Sequence, residues 1–453
     1  MTESLTRVQP PLQFIPPNIN PLVLQVCQQI LPLWLKWQTN ITQIKANNLE
    51  SLAELYQQFQ HKKIRLLLAF RHPSSNDPYC MGYLMWKLLP QIAKQKNICL
   101  NSPIHSHFMY DRGIPLWAGS TVGWLYSKLG GTSIQRGKLD IPGLRSARDL
   151  LANSQFPLAA APEGATNGHN EIVSPLEPGI AQLGFWCVED LKKANRNEEV
   201  IIVPIGIQYH YITPPWKEIE KLLTQLEIDV GIKIESRDKT ALIDEEKLYK
   251  RLYNLGENLL GLMEDFYRNF YHKNLPDTAE KNLSQRLPDL MNVALEVAEN
   301  YFNLKPKGNV IDRCRRLEQA GWDCIYREDF KESNNFSSVE KGLGDRIAEE
   351  ASLRMWHMRI VESFVAVTGY YVKEKPTVER FAETTLLLWD LVSKIQGNNA
   401  FFRPQLGQQT VLMTIANPIS VSNRVEQYKT NRRQAIANLT QELQTILAGM
   451  IIR

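Results

Sequence analysis

The stretch Ile64-Arg65-Leu66-Leu67-Leu68-Ala69-Phe70, followed at once by Arg71-His72-Pro73-Ser74-Ser75-Asn76-Asp77-Pro78, decides how the chain is read. A short, almost continuous apolar run bounded by Pro, Ser and Asn is too brief for a helix and lacks the alternation of a half-exposed strand. It describes a strand buried on both faces. Asp77-Pro78 then supplies a helix N-cap and a proline at the first helical position, so the unit is strand, turn, helix. The same rhythm recurs in NICL near 97–100, PLAAAP at 157–162 and VIIVPIGIQY at 200–209. Short apolar strands alternating with helices predict an α/β core whose mixed sheet is flanked by helices.

Upstream of this unit, residues 1–20 are punctuated by proline and read as extended. Pro21 opens an amphipathic helix carrying Leu22, Val23, Val26, Ile30, Leu33, Trp34 and Trp37, and a second helix is expected over about 46–60. The first helix has two possible uses: packing its apolar side on the domain, or settling Trp34, Trp37 and Lys36 at a lipid headgroup layer. Beyond about residue 240 long segments with 3.6-residue spacing predict a helical subdomain. QQTVLMTIANPISV then reads as one more strand, and a last helix spans about 424–450. The expected division is a helical cap (1–61), an α/β core (62–240), a helical subdomain, possibly an insertion (241–408), and a closing strand and helix (409–453).

The composition excludes several classes. With 453 residues, 43% hydrophobic and 22% charged, the chain is of ordinary globular type, and a net charge of +4 is too mild to imply a nucleic-acid partner. The six cysteines (Cys27, Cys80, Cys99, Cys187, Cys314, Cys324) never form CxxC, so neither a disulfide framework nor a zinc site is expected. His105 and His107 share a face of a strand but lack a third ligand at suitable spacing, and read as structural histidines. No cofactor is expected. The N-terminus lacks the pattern of a secretory signal and no run of about 20 apolar residues occurs, so a cytoplasmic protein at most peripherally attached to membrane is expected. There is no G-x-S-x-G elbow and no P-loop, which removes the serine-hydrolase and nucleotide-hydrolysing readings.

Four motifs remain. His72 and Asp77 form an H-x4-D pattern at the strand-to-helix turn, where an imidazole oriented by a carboxylate can take a proton from a hydroxyl. GGTSIQRGK at 130–138 brings Arg136 and Lys138 behind a glycine pair, and an arginine can grip a phosphate with two parallel charge-assisted hydrogen bonds. APEGATNG at 161–168 delivers Glu163 and Gly164 at a strand's carboxyl end, where open α/β sheets bind ligands. Val203-Pro204-Ile205 interrupts a strand with a residue that cannot donate to the ladder, as at a sheet edge or at a kink that shapes an apolar slot.

Taken in order, H-x4-D, G-x-x-x-I-x-R, P-E-G and V-P-I resemble the four blocks of the glycerolipid acyltransferase family, which includes the lysophosphatidate acyltransferases. The resemblance covers about residues 62–210. It implies acyl transfer from an acyl-CoA or acyl-carrier-protein thioester to a lysophosphatidate or glycerol phosphate type of hydroxyl at a membrane surface. His72 would be the general base, Asp77 its partner, Arg136 the phosphate contact, Glu163 and Gly164 the acceptor site, and Val203, Pro204 and Ile205 the lining of the acyl site. Two departures stand out: Arg71 precedes the histidine where many members have Asn, and Ala165-Thr166-Asn167 follows the glycine where many have Thr-Arg-Ser. The missing arginine leaves Arg71 or Lys138 to compensate, and opens the alternatives of a non-phosphorylated alcohol acceptor or a non-catalytic lipid-binding protein of the same fold.

Overall fold

The computed structural model describes residues 6–135, 140–233, 244–275, 281–330, 336–364, 369–398 and 403–452, with only the backbone of Trp117 and Phe364. The chain forms two compact units. One comprises the described residues of Phe14–Gln135, Leu139–Ile212 and Gln408–Arg453, and the other those of Met1–Gln13 and Thr213–Gly407.

The first unit opens with α1 (Pro21–Gln38), β1 (Ile41–Asn47), α2 (Leu49–Gln60), β2 (Ile64–Phe70) and α3 (Asp77–Tyr83), which passes through a π-turn into α4 (Leu89–Gln95). It continues with β3 (His107–Asp111), α5 (Ile114–Ala118), α6 (Ser120–Lys128), β4 (Gly131–Ile134), α7 (Ile141–Asn153), β5 (Leu158–Ala160), α8 (Gly179–Lys193) and β6 (Glu199–Tyr211). The second unit contributes α9 (Trp216–Asp229), α10 (Glu245–Tyr271), α11 (Leu283–Tyr301), α12 (Val310–Ile325), α13 (Ser338–Phe364), α14 (Tyr371–Glu374) and α15 (Val378–Ile395). The chain then returns to the first unit as β7 (Gln409–Ile415), β8 (Ile419–Ser420), α16 (Val425–Thr430) and α17 (Arg432–Gly449).

The result is an α/β fold with a mixed eight-stranded sheet in the order β1-β7-β6-β2-β5-β3-β4, with β8 pairing with β6. β4, β3, β5, β2 and β6 run parallel, while β7 pairs antiparallel with β6 and parallel with β1. β2 is buried along its whole length. Its alternation divides the core. Leu66, Leu68 and Phe70 pack with residues of α1–α4, and Leu67 and Ala69 with residues of α7, α8 and α17. Because β2 to β5 run parallel, their carboxyl ends reach one edge of the sheet, and the loops after Phe70, Ala160 and Ile134 gather there.

Two local expectations fail for identifiable reasons. NICL is not a strand: Asn97 takes a left-handed φ of 56° and Ile98 N–H returns to the Ala93 carbonyl, so the segment is the exit of α4. β1 carries only two buried positions, Ile41 and Ile44, in ITQIKAN, which leaves no apolar run to detect. Its ends are marked instead by Asn40 and Asn48 at positive φ.

Pro204 lies in a central strand, not at an edge. Its carbonyl accepts from Ala416 N–H, so its nitrogen faces the side of β7 and β8. β7 pairs up to Ile205 and β8 pairs with Ile201 and Ile202, so the missing N–H falls in the gap between them.

Within the second unit, ion pairs join successive helices: the buried pairs Arg251 to Glu227 (2.6 Å) and Arg313 to Glu299 (2.7 Å), and the half-buried pair Arg286 to Glu264 (2.7 Å). Asn282 and Asn309 start α11 and α12 with capping boxes.

Candidate active site

The turn after β2 folds back on itself. Ser74 Oγ accepts the Asn76 N–H at 3.2 Å, and Ser74 N–H donates to Asp77 Oδ2 at 2.8 Å. This brings the Asp77 carboxylate to 3.0 Å from Nδ1 of His72. Asp77 is fully buried, whereas the His72 side chain keeps 20% of its surface. A carboxylate facing Nδ1 selects the tautomer with the proton there and leaves Nε2 as the basic nitrogen. The far oxygen, Asp77 Oδ1, accepts the Tyr209 hydroxyl at 2.5 Å, and the Cys80 thiol lies 3.5 Å from that hydroxyl. Burial and the neighbouring Asp77 charge hold the Tyr209 phenol well above its ordinary pKa, so it stays protonated and donates.

Glu163, three residues beyond β5, reaches the same turn. Its Oε1 accepts the backbone N–H of His72 at 2.8 Å, and its Oε2 accepts from Ser174 N–H (2.9 Å) and the Asn167 side-chain amide (3.2 Å). Nε of Arg71 stands 3.8 Å away, and both side chains are buried. The Glu163 oxygens are therefore engaged inside the protein. Gly164 holds a φ of +73°, which favours glycine, and a Cβ there would lie 1.9 Å from Glu177 Oε1 and displace that carboxylate.

The structure thus brings His72, Asp77, Glu163 and Gly164 into one constellation. Val203 and Ile205 are fully buried in the core on the face of β6 turned toward α2, and the Ile205 carbonyl accepts Arg71 N–H at 2.9 Å. Arg136 and Lys138 lie outside the described residues. Their flanks are tied, with Gln135 N–H donating to Asp140 Oδ2 at 2.8 Å and Arg112 paired to the same carboxylate.

Arg71 does not take the place of the missing motif arginine. Its guanidinium donates to the backbone carbonyls of His169 (3.3 Å), Asn170 and Ile172 (2.6 Å). Asn167 is turned inward too, spanning Glu163, Ile172 and Ser174. Tyr209, Asn170 and Ser74 escaped the sequence reading. Tyr209 shares the two-residue period of Val203 and Ile205, but nothing local points its hydroxyl at Asp77.

His105 and His107 have structural partners. His105 accepts from Trp86 Nε1–H (3.0 Å) and donates to the Leu129 carbonyl (2.8 Å), and burial pushes its pKa down to about 4. His107 bridges the Gly130 carbonyl and Ser154 Oγ. Among the described residues no group of three or more potential ligands could hold a metal.

Replacing Glu163 by Ala would strand a buried guanidinium and leave two backbone donors without their acceptor. Glu163→Ala is expected to destabilise the protein by about 3–5 kcal/mol, read from urea unfolding. A loss below about 1 kcal/mol would show that the carboxylate does not hold the turn. No family model and no curated protein matches the chain.

Proposed function

We propose that the protein is an O-acyltransferase that moves a fatty acyl group from an acyl-CoA or acyl-carrier-protein thioester to a glycerolipid hydroxyl of the lysophosphatidate or glycerol phosphate type. The observation that carries this reading is the His72–Asp77 pair, 3.0 Å apart at the carboxyl end of a central strand. Nε2 takes the proton of the acceptor hydroxyl as its oxygen attacks the thioester carbonyl. The tetrahedral intermediate then expels the thiolate, which recovers that proton from Nε2, leaving an ester and a free thiol. Asp77 stabilises the imidazolium in between, and no covalent enzyme intermediate is needed. Glu163 is expected from the resemblance to bind the acceptor directly, but its oxygens are engaged inside the protein, and it serves the site by fixing the turn that carries His72, while Gly164 turns the chain after it. His72→Ala is expected to lower kcat by about 10² or more with the fold intact. Wild-type turnover in that variant would remove the mechanism, whereas lipid binding without acyl transfer by the wild type would favour a non-catalytic lipid-binding role.

The acceptor has a second reading, favoured by one observation: Arg71 and Asn167 are both engaged inside the protein. A phosphate would then rest on Arg136 and Lys138, and a non-phosphorylated alcohol becomes the alternative. If Arg136 holds a phosphate, the enzyme prefers lysophosphatidate to monoacylglycerol, and Arg136→Ala raises the acceptor KM by about 1.5–3 kcal/mol of lost binding while sparing the donor KM. Equal use of both acceptors by the wild type would remove the phosphate site and favour the alcohol reading.

A peripheral membrane attachment fits the same function. No described helix is long and apolar enough to cross a membrane. α1 buries Leu24, Leu31 and Leu35 and turns a second apolar stripe outward, with Leu22 72%, Val26 52%, Ile30 50%, Leu33 55% and Trp37 73% exposed. These positions repeat every three or four residues, and Trp34 borders them, which is the pattern of an interfacial helix. Its inner face meets α3, where a Cβ on Gly82 would lie 3.2 Å from Leu31 Cδ2 and the rings of Trp34 and Tyr79 are 6.3 Å apart. The wild type should sediment with anionic liposomes, and a Leu33→Ser, Trp37→Ala double variant should stay largely in the supernatant. Indifference of the wild type to liposomes would exclude this attachment.

A further inference from the structure

β6 outruns β2 at the edge of the sheet where His72 stands: β2 ends at Phe70 opposite Ile205, while β6 continues to Tyr211. Beyond Ile205 the backbone of β6 has lost its neighbour on that side. Asn170 takes the vacant place, its side-chain oxygen accepting Tyr209 N–H at 2.8 Å and its amide donating to the Tyr209 carbonyl at 2.8 Å. The main-chain carbonyl of Asn170 is in turn gripped by Arg71, the residue before the candidate base. Tyr209, held on both backbone groups, puts its hydroxyl on Asp77 Oδ1, the oxygen that His72 does not use. The circuit closes from His72 through Asp77, Tyr209 and Asn170 to Arg71.

We propose that Tyr209 is a positioning residue for the His72–Asp77 pair, setting the direction of the Asp77 carboxylate and the strength of its hydrogen bond to His72, with Asn170 as the clamp that holds Tyr209 in place. This rests on the acyltransferase reading for its catalytic meaning but not for its test. A carboxylate with no solvent needs donors to remain ionised, and Asp77 has three: Ser74 N–H, His72 Nδ1–H and the Tyr209 hydroxyl. Removing the last concentrates charge on the carboxylate and strengthens its pull on the Nδ1 proton. The other titratable groups around the pair are Cys80 from α3, beside the Tyr209 hydroxyl, and Glu163 and Arg71 at the His72 backbone.

The experiment compares full-length wild type with Tyr209→Phe and with 3-fluorotyrosine placed at position 209. The fluorinated ring keeps the packing and makes the hydroxyl a stronger donor, so it also serves if Tyr209→Phe fails to fold. The first readout is the proton NMR resonance of His72 Nδ1–H, assigned by its loss in His72→Gln. It should move downfield in Tyr209→Phe and upfield with fluorotyrosine. The second is kinetic: kcat of Tyr209→Phe should fall about tenfold with both KM values within about twofold, and the acidic limb of its pH–rate profile should move to higher pH. A resonance unmoved in either protein overturns the proposal. If the wild type transfers no acyl group, the acyltransferase reading fails while the resonance still decides the role of Tyr209.

Discussion

A carboxylate sealed from water is stable as an anion only where the chain brings donors to it, and Glu163 obtains them from separate segments. The turn after β2 gives the His72 N–H, the loop after β5 gives Ser174 and Asn167, and the Arg71 guanidinium adds its positive charge from 3.8 Å. The arrangement constrains both loops at once, because the histidine backbone cannot shift without stranding the carboxylate. The geometry of the candidate site at the sheet edge thus depends on an interaction made entirely within the protein. The imidazole keeps access to solvent while everything behind it is fixed, which is what a general base requires.

The sheet supplies the rest of the constraint. β2 is buried on both faces, and the strands beside it deliver their loops to one edge, so residues far apart in sequence meet there. Burial on both faces is also why β2 was legible: an apolar run ending in Arg71-His72 names its own boundaries. β6 was legible for the same reason, and β7 by its flanking turns. β1 was not, because an edge strand with two inward residues carries no distinctive pattern. NICL misled because a helix exit that packs Ile98 and Leu100 on the core looks locally like a strand.

The candidate site divides in the same way. The spacing of His72 and Asp77 encodes a contact within one turn, and the structure has it. Glu163 stood out as a carboxylate at a strand end, but its inward orientation depends on Ser174 and Asn167, whose partnership no spacing announces. Arg71 reads from sequence as a cation open to a ligand, yet its guanidinium donates to the backbone carbonyls of His169, Asn170 and Ile172 in one loop. Tyr209 and Asn170 carried no signal, since their roles come from the mismatch in length between β6 and β2.

The placement of β7 has a consequence for how the protein is made. β6 is thirteen residues long, and most of its antiparallel partner is supplied by a strand that follows the whole second unit. At about 5–20 residues per second, the roughly 200 intervening residues leave β6 without that partner for about 10–40 s of translation. During that interval one of the most apolar stretches of the chain has an open edge able to pair with another chain. Its thirteen residues include a single proline, Pro204, whose absent N–H removes one rung from that template in the nascent protein as well as in the finished one.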